Sequence, residues 1–168
     1  TSAALKGTHE LALKFREGWS ALGRLSWLYD GAVDDTERTP LADDAKRVAA
    51  RDVTLLDLWV AKDFDVAGMP GKVKVGNQVL SWGEDIFIYG GVNIINPIDL
   101  TRAHKAGVQL KEIFRPAPMA SFNYGATNNL SVEGFWQADW NAFRFDPVGT
   151  YFSGADVVGK GQQSAFVP

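Results

Sequence analysis

The chain has 168 residues, which is enough for one domain with a single core. Its 17 Lys and Arg against 20 Asp and Glu give a net charge of -3, so no basic excess favours nucleic acid as a partner. The sequence contains no Cys, which excludes disulfides, zinc ribbons, iron–sulfur sites and thiol nucleophiles, and it has two His; we therefore expect no metal and no cofactor.

Alternation of apolar and polar residues with a period of two predicts strands in the first half of the chain. The first strand is predicted at 8–16 and, after a turn, the second at 21–29. The polar segment that follows contains an Ala-rich stretch at 41–50, directly after Pro40, which predicts a short helix.

The rest of the chain continues this pattern with a longer interruption. A third strand is predicted at 53–64 and a fourth at 72–80, joined by a turn rich in Gly and Pro. A long connection at 81–118 follows, and its last residues include two Pro that cannot donate to a central ladder. The fifth and sixth strands are predicted at 119–126 and 130–145, with a tight turn between them.

No segment predicts a membrane-spanning helix. The longest uncharged stretches, at 86–98 and 116–132, are interrupted by Asn, Gly and Pro, whereas such a helix needs roughly 20 mainly apolar residues. A transmembrane strand needs only about 9–11 residues, so a membrane protein built from strands stays possible.

The connections between the six predicted strands alternate between short and long. Outer-membrane barrels show this alternation, with short periplasmic turns and long extracellular loops. Each strand also sets an apolar face against a charged one: a barrel turns the apolar face to lipid and the charged face to a wet lumen, and a soluble domain does the reverse. The pattern alone leaves both orientations open. In a barrel, the candidates for lining the lumen are Glu10, Lys14, Arg24, Lys74, Gln78, Glu133 and Asp139.

Three segments carry a resemblance to a known family: GNQVLSWG at 76–83, VNIINPID at 92–99 and DPVGTYFS at 146–153. With TPLADDAK standing before them and LKE and PAPM between them, in the expected order, the chain resembles the DUF1302 family, in which DUF stands for domain of unknown function. The resemblance covers essentially the whole chain. It implies a large Gram-negative outer-membrane β-barrel, with a periplasmic lipoprotein-like protein and a resistance-nodulation-division type transporter as possible partners. The suspected substrates of the family are hydrophobic molecules such as lipids, sterols or polyester-derived acids.

Members of that family are several times longer than this chain, and six strands fall short of the minimum of about 8 for a closed barrel. We therefore expect an all-β single domain, 1–168, that is the N-terminal fragment of an antiparallel transmembrane β-barrel with long extracellular loops and one loop helix. The expected location is the bacterial outer membrane, in contact with its lipid. The expected function is that of a porin-like passive channel or docking component for transport of hydrophobic or amphipathic substrates, and not that of an enzyme.

The long connection at 81–117 is the candidate for a loop that folds into the lumen and narrows it. The residues of this candidate constriction are Trp82, Glu84, Asn93, Asn96 and Asp99. A rigid loop whose Asn and Asp side chains bind its own backbone explains the same residue types without any ligand. Both interpretations stay open at the level of sequence.

Two other classes of protein are considered. One is a soluble, secreted β-sandwich that binds a ligand on a platform of Trp59, Trp82, Trp136 and Trp140. The other is a barrel enzyme, which would need Ser81 or Ser121 paired with His104, and nothing in the spacing of these residues favours such a pair.

Overall fold

The computed structural model describes residues 4–34, 41–82, 95–105, 107–154 and 157–161. They form one antiparallel sheet of six strands that are neighbours in chain order, which confirms the prediction of an all-β fold. In the described residues the first and last strands each pair with a single neighbour, so the sheet is open and is not a closed barrel. The strands are β1 (Ala4–Lys14), β2 (Trp19–Asp30), β3 (Arg51–Val66), β4 (Met69–Gln78), β5 (Ala117–Thr127) and β6 (Leu130–Gln137).

The prediction that the sixth strand continues to 145 is wrong, because β6 ends at Gln137. Its partner β5 begins at Ala117 with Pro residues on either side, and Pro has no backbone N–H to offer a ladder. Ala138 still donates to the carbonyl of Pro118, and beyond that point the side chain of Asn141, not a backbone group, donates to the carbonyl of Pro116. The Pro residues of β5 thus account for the early end of β6.

The described parts of the long connections contain four short α-helices: α1 (Gly31–Asp34), α2 (Asp43–Ala49), α3 (Leu100–Ala103) and α4 (Leu110–Ile113). The predicted helix at 41–50 corresponds to α2, which buries Ala45 and Val48 on one side. The helices α3 and α4 lie in a connection that was expected to be mostly loop. None of the helices in the described residues is long or apolar enough to cross a membrane.

The connections are sorted by length between the two ends of the sheet. The short ones, at 15–18, 67–68 and 128–129, lie at one end, which we call the turn end. The long ones, at 31–50 and 79–116, leave from the opposite end, which we call the loop end. The alternation that the sequence predicts is therefore present in the sheet.

The strand register places most of the charged strand residues on one face of the sheet, together with Trp59 and Phe135, and most of the large apolar residues on the other, together with Arg51 and Lys62. We call the first the charged face and the second the apolar face. The charged face carries Lys6, Glu10, Lys14, Arg24, Asp57, Lys72, Lys74, Asn123 and Glu133. The apolar face carries Leu5, Leu11, Leu13, Leu25, Val53, Leu58, Val60, Val73, Val75, Phe122, Val132 and Trp136, and all of these side chains are exposed.

The exposure of the apolar face decides where the core of the molecule lies. Leu11 is 62% exposed and Trp136 is 69% exposed, so these side chains do not meet in a dry centre. The buried hydrophobic residues are few: Ala45, Val48, Ala50, Leu56, Ala61, Ala117 and Met119. Helix α2 packs against β3, and the backbone N–H of Asp30 donates to the carbonyl of Ala50 at 2.8 Å. Packing is therefore concentrated where the long connections meet the sheet.

Aromatic rings cover glycines at three places on the apolar face. In each pair the glycine lies directly opposite the aromatic residue in the neighbouring strand: Gly7 with Trp27, Gly71 with Phe64, and Gly134 with Phe122. A Cβ atom at these glycines would lie 2.6, 2.3 and 2.4 Å from the ring. The missing side chain is thus replaced by a cross-strand ring, a device that stabilises glycine in a sheet.

We expect Gly134→Ala to lower the free energy of unfolding by about 1–3 kcal/mol, because the new methyl group displaces the ring of Phe122. Gly23→Ala is the matched control on the same face, since its nearest contact would be a Leu58 methyl group at 3.9 Å. Urea unfolding of both variants under identical conditions measures the difference. Equal stability of the two variants would show that the ring does not need the glycine.

Candidate functional site

The connection between β4 and β5 lies against the charged face at the loop end. The carboxylate of Glu112, in α4, accepts hydrogen bonds from the Lys6 ammonium and, at 3.1 Å, from the Thr8 hydroxyl. Lys6 and Thr8 both project from β1 on the charged face. The same carboxylate accepts the backbone N–H of Gln109 at 3.0 Å, which closes the first turn of α4. Glu112 therefore holds α4 over the charged face.

A second contact ties α3 to the sheet. The guanidinium of Arg102 donates to the carboxylate of Asp52, on β3, and both side chains are buried. The guanidinium of Arg144 contacts two carboxylates: it lies 3.5 Å from an oxygen of Asp52 and 3.2 Å from an oxygen of Asp99. Asp99 also accepts the hydroxyl of Thr101. Two carboxylates thus bridge β3, the β4–β5 connection and the segment after β6.

Buried amides fix the base of the same connection. Asn96 accepts the backbone N–H of Leu80 at 2.7 Å and donates to the carbonyl of Arg115 at 3.1 Å. Gln78 donates to the carbonyl of Met119 at 3.0 Å, joining the end of β4 to β5. Asn96 therefore satisfies backbone groups of its own connection, as the rigid-loop interpretation proposes.

The candidate constriction residues fall in three groups. Trp82 lies 5.2 Å from Phe135, ring centre to ring centre, with the two rings nearly perpendicular, and Phe135 shares the charged face with Ser121. Asn96 and Asp99 lie in the buried contacts just described. Glu84 and Asn93 lie outside the described residues. The described parts of this connection therefore contact the charged face near β6, β1 and β3.

All the candidate lumen residues except Asp139 lie on the charged face. Arg24 joins three strands, because its guanidinium donates to Glu10 at 2.8 Å and to Asp57 at 3.0 Å. The ammonium of Lys74 lies 5.3 Å from the ring centre of Trp59. These contacts pair opposite charges across strands and leave no ring of one sign among the described strand residues.

Glu133, Lys14 and Asp139 are the remaining candidates for lining the lumen. Glu133 accepts the amide of Asn123, its neighbour in β5, and Lys14 is exposed at the turn end. Asp139 follows the end of β6, and its carboxylate accepts the backbone N–H of Trp140 at 2.8 Å. Its placement on the charged face depended on the predicted extension of the sixth strand, which does not form.

The structure separates some of the residues considered for the soluble β-sandwich and for the barrel enzyme. Trp59 lies on the charged face and Trp136 on the apolar face, so these two do not form one platform. The hydroxyl of Ser121 donates to Gln78 at 3.3 Å. His104 contacts the carboxylate of Asp146 at 3.1 Å and stacks on Phe152 at 4.2 Å. Ser121 and His104 therefore have separate partners.

The sequence did not point to the buried ion-pair cluster of Asp52, Arg102 and Arg144. The only available signal was the repeated occurrence of basic residues in the second part of the long connection, at Arg102, Lys105, Lys111 and Arg115. Nothing around Asp52 distinguishes it from other acidic residues of the strands.

Acid is expected to release α4 from β1. Burial opposes ionisation of Glu112, but hydrogen bonds from Lys6, the Gln109 backbone and Thr8 outweigh it and hold the pKa of this carboxyl below its usual range. Stability from this group is therefore full above the ordinary Glu pKa of about 4.3 and is lost as the pH falls through the lower folded-state pKa. The measurement is the free energy of unfolding against pH for the wild type and Glu112→Gln. The gap between them is expected to shrink on acidification, and a gap that stays constant to about pH 3 would contradict this account.

Comparison with known proteins gives one match. A family model described as "Protein of unknown function (DUF1302)" matches residues 1–168. No curated protein and no solved structure matches the chain.

Proposed function

We propose, since the chain belongs to the DUF1302 family, that it is part of an outer-membrane β-barrel. In this proposal it acts as a passive channel or docking component for the transport of hydrophobic or amphipathic substrates, and it is not an enzyme. The single observation that carries the proposal is the exposed apolar face, which crosses all six strands.

An apolar surface of this extent needs a partner. Exposed apolar patches that are larger than a few hundred Å² mark contacts with protein, ligand or membrane. On the apolar face, exposed Leu, Val, Phe and Trp side chains follow one another from β1 to β6 without interruption by a covering element in the described residues. Lipid is the partner that fits a face of this composition whose opposite side is charged, because the strands of outer-membrane barrels alternate apolar-out and polar-in.

The charged face supports the interpretation as a lumen. Its charges are paired across strands, as in Glu10–Arg24–Asp57, which keeps an interior surface wet without selecting an ion. Helices α3 and α4 lie on this face and are held there by Asp52 and Glu112. In a barrel, a connection held at these positions narrows the lumen at the loop end.

A barrel that contains this sheet needs more strands. Known outer-membrane barrels have at least about 8 strands, and an open edge at membrane depth leaves backbone groups unpaired at several kcal/mol each. We infer that strands from a longer chain or from other chains pair with β1 and β6. A periplasmic lipoprotein-like protein and a resistance-nodulation-division type transporter are the proposed partners.

Single-channel conductance tests the lumen assignment. In the full-length protein, residues 100–113 are replaced by a short Gly and Ser linker, and the conductance is expected to rise because α3 and α4 no longer narrow the lumen. The control is the double variant Asp63→Asn with Lys72→Gln, which removes an exposed ion pair from the charged face at the turn end. Unchanged conductance in the linker variant would refute the constriction. A native protein that is monodisperse without detergent would instead favour the soluble sandwich.

A further inference from the structure

We propose that the cavity beside Arg102, Arg115 and Arg144 is a binding site for a small oxyanion of the carboxylate or phosphate class. The cavity has a volume of about 140 Å³ and lies at the loop end of the sheet. The amides of Asn77 and Asn141 also line it, as do the carboxylates of Asp99 and Glu112, which are already paired with Arg144 and Lys6. The site depends on these contacts alone and does not require that the sheet spans a membrane.

The charges around the cavity do not balance. Three cationic side chains line the cavity, and two more, Lys6 and Lys105, interact with charged groups around it; these five cations are accompanied by three carboxylates. The cations are Lys6, Arg102, Lys105, Arg115 and Arg144, and the carboxylates are Asp52, Asp99 and Glu112. Lys6 pairs with Glu112, and Arg102 and Arg144 share the two aspartates. Lys105 and Arg115 are left without a carboxylate at ion-pair distance in the part of the chain that the structure describes.

Donors at the site lack acceptors. The Nε atom of Arg102, in the lining, is buried and has no partner within hydrogen-bond distance among the described residues, with a carboxylate oxygen of Asp99 3.6 Å away. The ammonium nitrogen of Lys105, outside the lining, is also buried and has no hydrogen-bond partner among those residues. The guanidinium of Arg115 donates to the backbone carbonyl of Ala142 at 2.6 Å, a neutral acceptor. A buried donor without an acceptor is costly, and a buried cation without a counter-charge is more so.

The pKa values of Arg115 and Lys105 are both lowered, which agrees with the excess of cations. Burial lowers the pKa of Arg115, the neighbouring charge of Arg144 lowers it further, and Asp99 opposes this. Burial also lowers the pKa of Lys105, where Arg102 and Arg144 add to the effect and Asp52 and Asp99 oppose it. An anion in the cavity would stabilise the charged forms of both groups.

The oxyanion class follows from the donors. A guanidinium presents N–H groups in a planar fork that matches the two oxygens of a carboxylate or a phosphate. Carboxylates and phosphates share this chemistry, and they differ in charge and in the number of oxygens. Acetate and inorganic phosphate are therefore the two probes that distinguish a carboxylate site from a phosphate site.

Calorimetric titration of the full-length protein in detergent micelles tests the site. Acetate and inorganic phosphate are added separately at constant ionic strength, and saturable binding of at least one of them is expected. Arg115→Gln is expected to weaken that binding about 10–100-fold, as the loss of a charge-assisted hydrogen-bond pair implies. Lys72→Gln is the control, because it removes a cation from an exposed position of the charged face, away from the cavity. This variant should bind the anion as the wild type does.

The outcomes are distinct. Acetate binding alone identifies a carboxylate site, and phosphate binding alone identifies a phosphate site. Absence of saturable binding of both probes to the wild type overturns the proposal without any variant. Equal binding by Arg115→Gln and the wild type also overturns it. Because the titration needs no conductance, its failure and the failure of the channel proposal are separate results.

Discussion

Replacing Asp52 by asparagine is expected to lower the free energy of unfolding by about 3–5 kcal/mol. The carboxylate of Asp52 is the partner of Arg102, which is 5% exposed, and it also contacts Arg144. Breaking a buried ion pair is strongly destabilising, and Arg102 would keep only the carboxylate of Asp99, which lies 3.6 Å away and is shared with Arg144. The same change loosens the attachment of α3 to β3, so the loop end should lose protection from hydrogen exchange first.

An exposed ion pair gives the control for this prediction. Asp63 and Lys72 are 3.1 Å apart, and about half of each side chain is accessible to solvent. Asp63→Asn also removes one carboxylate from β3, yet it should change stability by no more than about 1 kcal/mol, because water screens this pair. Urea unfolding of both variants in the same detergent is the measurement. A loss no larger for Asp52→Asn than for Asp63→Asn would mean that the buried cluster does not fasten the connection.

Leu58→Arg is expected to destabilise the protein in lipid bilayers by about 2–4 kcal/mol, because a cation on the lipid side near the middle of the membrane is costly. Leu58 lies near the middle of β3 on the apolar face and is 56% exposed. In water an exposed Leu tolerates this change, since surface substitutions are usually within about ±0.5 kcal/mol. The size of the effect therefore depends on the apolar face being in lipid.

Two matched variants separate the effect of depth in the membrane from the effect of the face of the sheet. Val66→Arg lies on the apolar face at the turn end of the same strand, where the expected loss falls to about 0–1 kcal/mol. Asn123→Arg lies on the charged face beside Glu133 and should have a small effect, because arginine can also donate to that carboxylate. Folding equilibria in vesicles measure all three variants. Equal losses at Leu58 and Val66 would contradict a lipid-facing surface.

The strands and their faces could be predicted from the sequence because the information is local. In β4, charged and apolar residues alternate from Lys72 to Val75, and in β1 Leu11 and Leu13 lie on the face opposite Glu10 and Lys14; the register of the sheet follows that alternation. The end of β6 could not be predicted from its own residues, since it is decided by Pro116 and Pro118 in the neighbouring strand. The glycines covered by rings were missed for the same reason: each pair joins two strands.

The candidate site could be predicted only in part because its contacts are distant in the sequence. Asp52 is 50 residues from Arg102 and 92 from Arg144, so no window of sequence contains the cluster. Helix α4 forms inside the predicted long connection, and Glu112 binds both its own first turn and β1. A tertiary contact thus accompanies helix formation in a segment whose local pattern is weak.

The orientation of the two faces is the central claim, and spin-label accessibility along β4 tests it most directly. The sequence contains no Cys, so labels can be placed one at a time at Lys72, Val73, Lys74 and Val75. In lipid bilayers, labels at Val73 and Val75 should collide mainly with oxygen, which concentrates in lipid, and labels at Lys72 and Lys74 mainly with a water-soluble nickel chelate. The reverse alternation would contradict the account, as would labels at Val73 and Val75 that neither reagent reaches.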